Sequence, residues 1–115
     1  MTARTLRIAA AIAAIFLLAG AVSVAGARDA AKTTVTIHYN GDGFQGKLKS
    51  SKAKCIKNRK VKVFKKSNGQ KLYTDTSDRD GRWNTGNSGQ IHGTFYAHTG
   101  RIPGCRGGTS KSIHT

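Results

Sequence analysis

Three runs of the chain alternate apolar and polar positions with a period of two. "TTVTIHYN" puts Val35, Ile37 and Tyr39 on one side and Thr34, Thr36 and His38 on the other, ending at the turn Asn40-Gly41-Asp42-Gly43. "FQGKLKS" sets Phe44, Gly46 and Leu48 against Gln45, Lys47 and Lys49. "KVKVFKK" sets Val61 and Val63 against Lys60, Lys62 and Lys65, with Phe64 marking a bulge or the opposite face. Such alternation predicts half-buried strands, with one row of side chains in a core and the other in water.

The rest of the chain continues in the same way. Ser67-Asn68-Gly69 is a hairpin signal leading into "QKLYTDT". "SDRDGRW" is an Asp-rich turn closing on Gly81 before a short strand with Trp83, and "NTGNSGQ" leads into "IHGTFYAH". "TGRIPGC" is a loop, and "GGTSKSIHT" reads as a last edge strand. Turns recur about every ten residues, so the expectation is an all-β fold, a small seven-stranded β-sandwich of the Ig/transthyretin-like kind. A closed barrel such as an OB-fold is the alternative. Phe44, Phe64, Tyr73, Trp83, Phe95 and Tyr96 are spread over the strand runs, as core residues would be, with Trp83 as the central packing residue.

The N-terminus breaks this pattern. Arg4 and Arg7 precede an apolar run from Ile8 to Ala25, followed by Ala25-Gly26-Ala27. That order is a charged n-region, an h-region and an A-x-A box, so residues 1–27 are expected to be a signal helix removed after Ala27, leaving a domain over 28–115. An uncleaved anchor is the rival reading, because the run is just long enough to span a bilayer. A domain of this size buries little surface and benefits from a staple. Export permits one, and Cys55 and Cys105 allow a single intrachain disulfide. No paired C-x-x-C spacing favours zinc, and no metal or other cofactor is implied.

Charge then narrows the partners. The chain of 115 residues carries a net +15 and no Glu, and loss of Arg4 and Arg7 leaves +13. Half of its twenty Lys and Arg lie in "KLKSSKAKCIKNRKVKVFKK", residues 47 to 66. A basic arm for nucleic acid has no reason to hold its lysines in the solvent phase of an alternating pattern, so this stretch reads as two strands and a loop. Its exposed cations, Lys47, Lys49, Lys57, Arg59, Lys60, Lys62, Lys65 and Lys66, are the expected contacts of a basic face. The expected partner is an anionic surface polymer or a membrane surface, met by a monomer through electrostatics. Nucleic acid would bind only non-specifically, and no small-molecule substrate is indicated.

Catalytic readings are weaker. "DTSDRDG" (75–81) resembles the start of a calcium loop but has no later acid to complete it, so it reads as an Asx turn in which Asp78 or Asp80 caps backbone amides. His38, His92, His98 and His114 show no short ligand spacing. A small secreted ribonuclease would cast His92 and His98 as acid and base with Arg82 or Arg101 as cationic stabilisers, which residue type alone suggests. The expectation is therefore a non-enzymatic module, with a nucleic-acid-binding protein or ribonuclease as the alternative.

Taken in order, several motifs resemble the secreted transthyretin-like or carboxypeptidase-regulatory-like domains. They are F-x-G-x-x-x-S at Phe44, Gly46 and Ser50 before Cys55, and R-x-V-x-V at Arg59, Val61 and Val63. Gly81 with Trp83, Gly93 with Phe95 and Ala97, and the late Cys105 complete the series. Leu48 stands where a β-branched residue is commoner in that pattern. The resemblance covers roughly Val35 to Ile113 and implies an accessory or binding sandwich without catalysis of its own; fold alone does not assign function.

Overall fold

A computed structural model describes residues 29–115, so the expected signal segment lies outside the described residues. The alternation holds through Val63, while Lys65 beyond it falls on the inner phase. Phe44 and Leu48 are buried in the strand Phe44–Lys49 while Lys47 and Lys49 are exposed, and Val61 and Val63 are buried in the strand Lys60–Lys65. The described residues form nine strands rather than seven. They are β1 (Thr34–Val35), β2 (His38–Tyr39), β3 (Phe44–Lys49), β4 (Lys60–Lys65), β5 (Lys71–Thr76), β6 (Arg82–Asn84), β7 (Thr94–Thr99), β8 (Gly108–Thr109) and β9 (Ile113–His114).

The larger count has two local causes. β1 and β2 both pair antiparallel with β3 in one continuous register, but the ladder is interrupted at Thr36, whose hydroxyl accepts the Lys47 N–H at 2.9 Å. The Thr36 carbonyl instead lies over Gly46, where a Cβ would sit 1.9 Å from its oxygen. Only glycine fits beneath it. At the other end, β8 and β9 both pair with β7, with one extra residue in the C-terminal segment between them. Here the Ser110 hydroxyl accepts the Ala97 N–H at 2.8 Å in place of a backbone carbonyl.

The strands make two antiparallel sheets. In the first, β3 is central, with β1 and β2 on one side and β6 on the other; in the second the order is β5-β4-β7, with β8 and β9 beyond β7. Their inner faces share one core, Val35, Phe44, Leu48 and Trp83 from the first sheet and Val61, Val63, Phe95 and Ala97 from the second. Burying each Val, Leu or Phe side chain contributes about 1.5–3 kcal/mol. Phe44 joins the layers, its ring centroid 5.0 Å from Phe95 and 6.1 Å from Tyr73.

One end of the molecule is stapled. Cys55, on a 3-10 turn over Ala53–Cys55, is bonded to Cys105, with Cα atoms 5.5 Å apart and both residues fully buried. Ala31 is tied to the same segment, donating to the Gly104 carbonyl and accepting from the Arg106 N–H. The Asp-rich turn is an Asx turn, in which Asp78 Oδ1 accepts from the Asp80 and Arg82 N–H groups and Gly81 takes φ 84°. Among the described residues no helix is long and apolar enough to cross a membrane.

Candidate anion-binding surface

Because both sheets turn one face to a common core, their outer faces look in opposite directions, and the eight predicted contact residues do not share one face. Lys47 and Lys49 lie on the outer face of the first sheet, where Lys47 is directly opposite Arg82. Like charges across a strand pair repel. Asp75 and Asp78 line the same shallow depression, though their carboxylates are engaged by the Asn84 N–H and by the turn amides. Lys57 is exposed in the loop after the 3-10 turn.

Lys60 and Lys62 project from the outer face of the second sheet. In register beside them are Thr76 and Thr74 on β5, and His98 on β7, which in turn faces Thr109 on β8. His98 Nδ1 and Thr109 Oγ1 are 2.8 Å apart. Two aromatic residues complete the face. Phe64 pairs with Tyr96, their rings stacked with centroids 5.4 Å apart and planes 18° from parallel. Both are half-buried and lie outside the core. Phe64 thus stands beside a bulge on the opposite face, as its break in the alternation allowed, and the expectation that Tyr96 is a core residue is corrected. For Tyr96 the signal was present, since "TFYAHT" alternates with Phe95, Ala97 and Thr99 turned inward.

Acids are missing from the outward positions of this sheet: Lys60, Lys62, Phe64, Thr74, Thr76, Thr94, Tyr96, His98, Thr109 and His114 supply only cations, imidazoles, hydroxyls and aromatic rings. Nothing on these positions neutralises the two lysines. About 7 Å separates alternate residues along a strand, so Lys60 and Lys62 present two neighbouring point charges. Such a surface attracts a linear polyanion, and the rings add apolar area beside the charges.

Two predicted contacts fall elsewhere. Lys65 pairs with Phe95, on the inner phase at the end of β4, and is half-buried with its stem passing Gly93. Lys66 is exposed beyond it. Arg59 is the clear correction, for it is only 2 % exposed. Its Nη1 donates to the Cys55 carbonyl at 2.7 Å and to Thr33 Oγ1 at 3.3 Å, and its Nη2 donates to the carbonyls of Gly100 at 2.6 Å and Arg106 at 3.3 Å. A planar fork of donors suits such a set of divergent acceptors. Burial draws the guanidinium's pKa down from its ordinary value. Arg59 shares the inward phase of Val61 and Val63, so the alternation carries it toward the stapled end rather than into water.

Among the described residues no three His, Cys or Asp side chains gather as a metal site. His92 is exposed in the loop before β7, and His114 accompanies Thr94, with Nδ1 and Oγ1 3.0 Å apart. No family pattern matches the chain, and neither a curated protein nor a solved structure shows significant similarity to it.

Proposed function

We propose that the chain is an exported, non-enzymatic β-sandwich module of the transthyretin-like kind, an accessory or adhesion domain that holds anionic polymers at or outside the cell surface. The observation that carries this reading is the outer face of the second sheet, where Lys60 and Lys62 stand beside the stacked Phe64–Tyr96 pair with no acid at any outward strand position. The N-terminal n-region, apolar run and A-x-A box support export, and the buried Cys55–Cys105 disulfide suits an oxidising compartment.

Polymer binding of this kind weakens as salt rises, because each contacted anion releases a counterion. Binding of the domain to an acidic polysaccharide and to a single-stranded oligonucleotide is measured at about 50 and about 500 mM salt. Lys60→Gln with Lys62→Gln lowers the salt slope by about one to two, while Phe64→Ala weakens binding with little change of slope. The reading fails if the double lysine variant binds as the parent does. A second reading, single-strand nucleic-acid binding, is favoured by the aromatic pair, since bases stack on such rings. It gains if Phe64→Ala weakens the oligonucleotide far more than the polysaccharide.

A further inference from the structure

The two sheets leave a groove open along one side of the sandwich, lined on one wall by residues 32–37 and on the other by residues 106–109 and 111–113, with a volume of about 1010 Å³. At one end the walls touch, and a Cβ on Gly108 would lie 2.4 Å from the Thr33 carbonyl oxygen. β1 and β8 do not pair, however. The ladder with β3 fixes which backbone groups face the opening. Thr36 N–H donates to the Lys47 carbonyl, and Leu48 N–H points the other way, to the Gly81 carbonyl. Thr34 and His38 therefore address β3, and because the Thr36 carbonyl is turned over Gly46, the groups that point out of the sheet edge are the N–H and C=O of Val35 and the C=O of Ile37. They have no backbone partner among the described residues.

Apolar side chains and charge complete the groove. Val35 is buried, Ile37 and Ile113 are half-buried, and the exposed cations Lys32, Arg106 and Lys111 stand on its rim, with no acid in its lining. We infer that this groove takes an extended segment of another protein, in which apolar and acidic residues alternate, added as a strand against Val35 and Ile37. The free backbone groups supply the ladder, alternate side chains meet Ile37 and Ile113, and the intervening carboxylates meet the three cations. A second copy of the chain is a poor occupant: its net charge is +15 and its five acids are all Asp, none in an alternating run.

The test uses the full chain and a labelled octapeptide of alternating Asp and Val, followed by fluorescence anisotropy and by amide exchange of the protein. The expected result is saturable binding, slower exchange of the Val35 amide, and loss of at least roughly tenfold in affinity with Lys32→Glu and Lys111→Glu together. A peptide N-methylated at alternate residues binds at least roughly tenfold less tightly, because one edge of its ladder is blocked. The inference is overturned if the peptide does not bind, if both N-methylated registers bind as well as the parent, or if binding leaves Val35 exchange untouched.

Discussion

Replacing Arg59 separates a structural cation from a contact cation. The two short bonds to the Cys55 and Gly100 carbonyls are charge-assisted, each worth about 1.5–3 kcal/mol net, and the two at 3.3 Å are weak. Removing the guanidinium also removes the cost of keeping a cation out of water, which offsets part of the loss. What Arg59→Met leaves behind is the Cys55 carbonyl without its donor inside the stapled end, at about 1–3 kcal/mol, and a Gly100 carbonyl that water can partly reach. The expected net loss is about 2–4 kcal/mol, a large share of the stability of a small domain. Arg59→Lys keeps the charge but cannot fork to both carbonyls, so it loses about as much. The assay is urea unfolding of the oxidised domain. With a slope of about 1 kcal/mol/M, the midpoint moves down by about 2–4 M. A lysine variant as stable as the parent would refute the forked-donor argument. Loss of polyanion binding at unchanged stability would restore Arg59 to the surface.

Two further perturbations test the frame itself. Cys55→Ser with Cys105→Ser opens a loop spanning a sequence separation of 50 and lowers stability by about 4 kcal/mol, read from thermal unfolding with and without reductant. Gly46→Ala drives a Cβ toward the Thr36 carbonyl and the Trp83 ring, at 1.9 and 2.7 Å. A loss of about 3 kcal/mol or more is expected in denaturant titration, and a loss below about 1 kcal/mol contradicts the close approach.

The inner core was legible because alternation carries it: Val35, Phe44, Leu48, Val61, Val63, Phe95 and Ala97 all lie where a period of two puts them. The disulfide was legible because two cysteines admit one pairing. Interruptions were not, since Thr36 and Ser110 break their ladders by lending a side-chain oxygen to a backbone donor. The site was legible only in part. Phase shows that a lysine points outward but does not say from which sheet, so Lys47 and Lys62 looked like neighbours in sequence and emerge on opposite sides. Arg59 reads as one more cation in a basic run, yet it shares the inward phase of Val61 and Val63, and the carbonyls brought from Cys55, Gly100 and Arg106 make it a buried hub.

The closure between Ala31 and the segment around Cys105 bears on how the chain is made. Ala31 bonds to Gly104 and Arg106, and Thr33 abuts Gly108, so Ala31 finds its backbone partners among the last residues of the domain. A chain growing from its N-terminus cannot complete this end until nearly all of it has been synthesised. Contacts of such long separation make folding slow and leave strand edges bare in the meantime. A product truncated before Gly104 would lack both the staple and the backbone partners of Ala31.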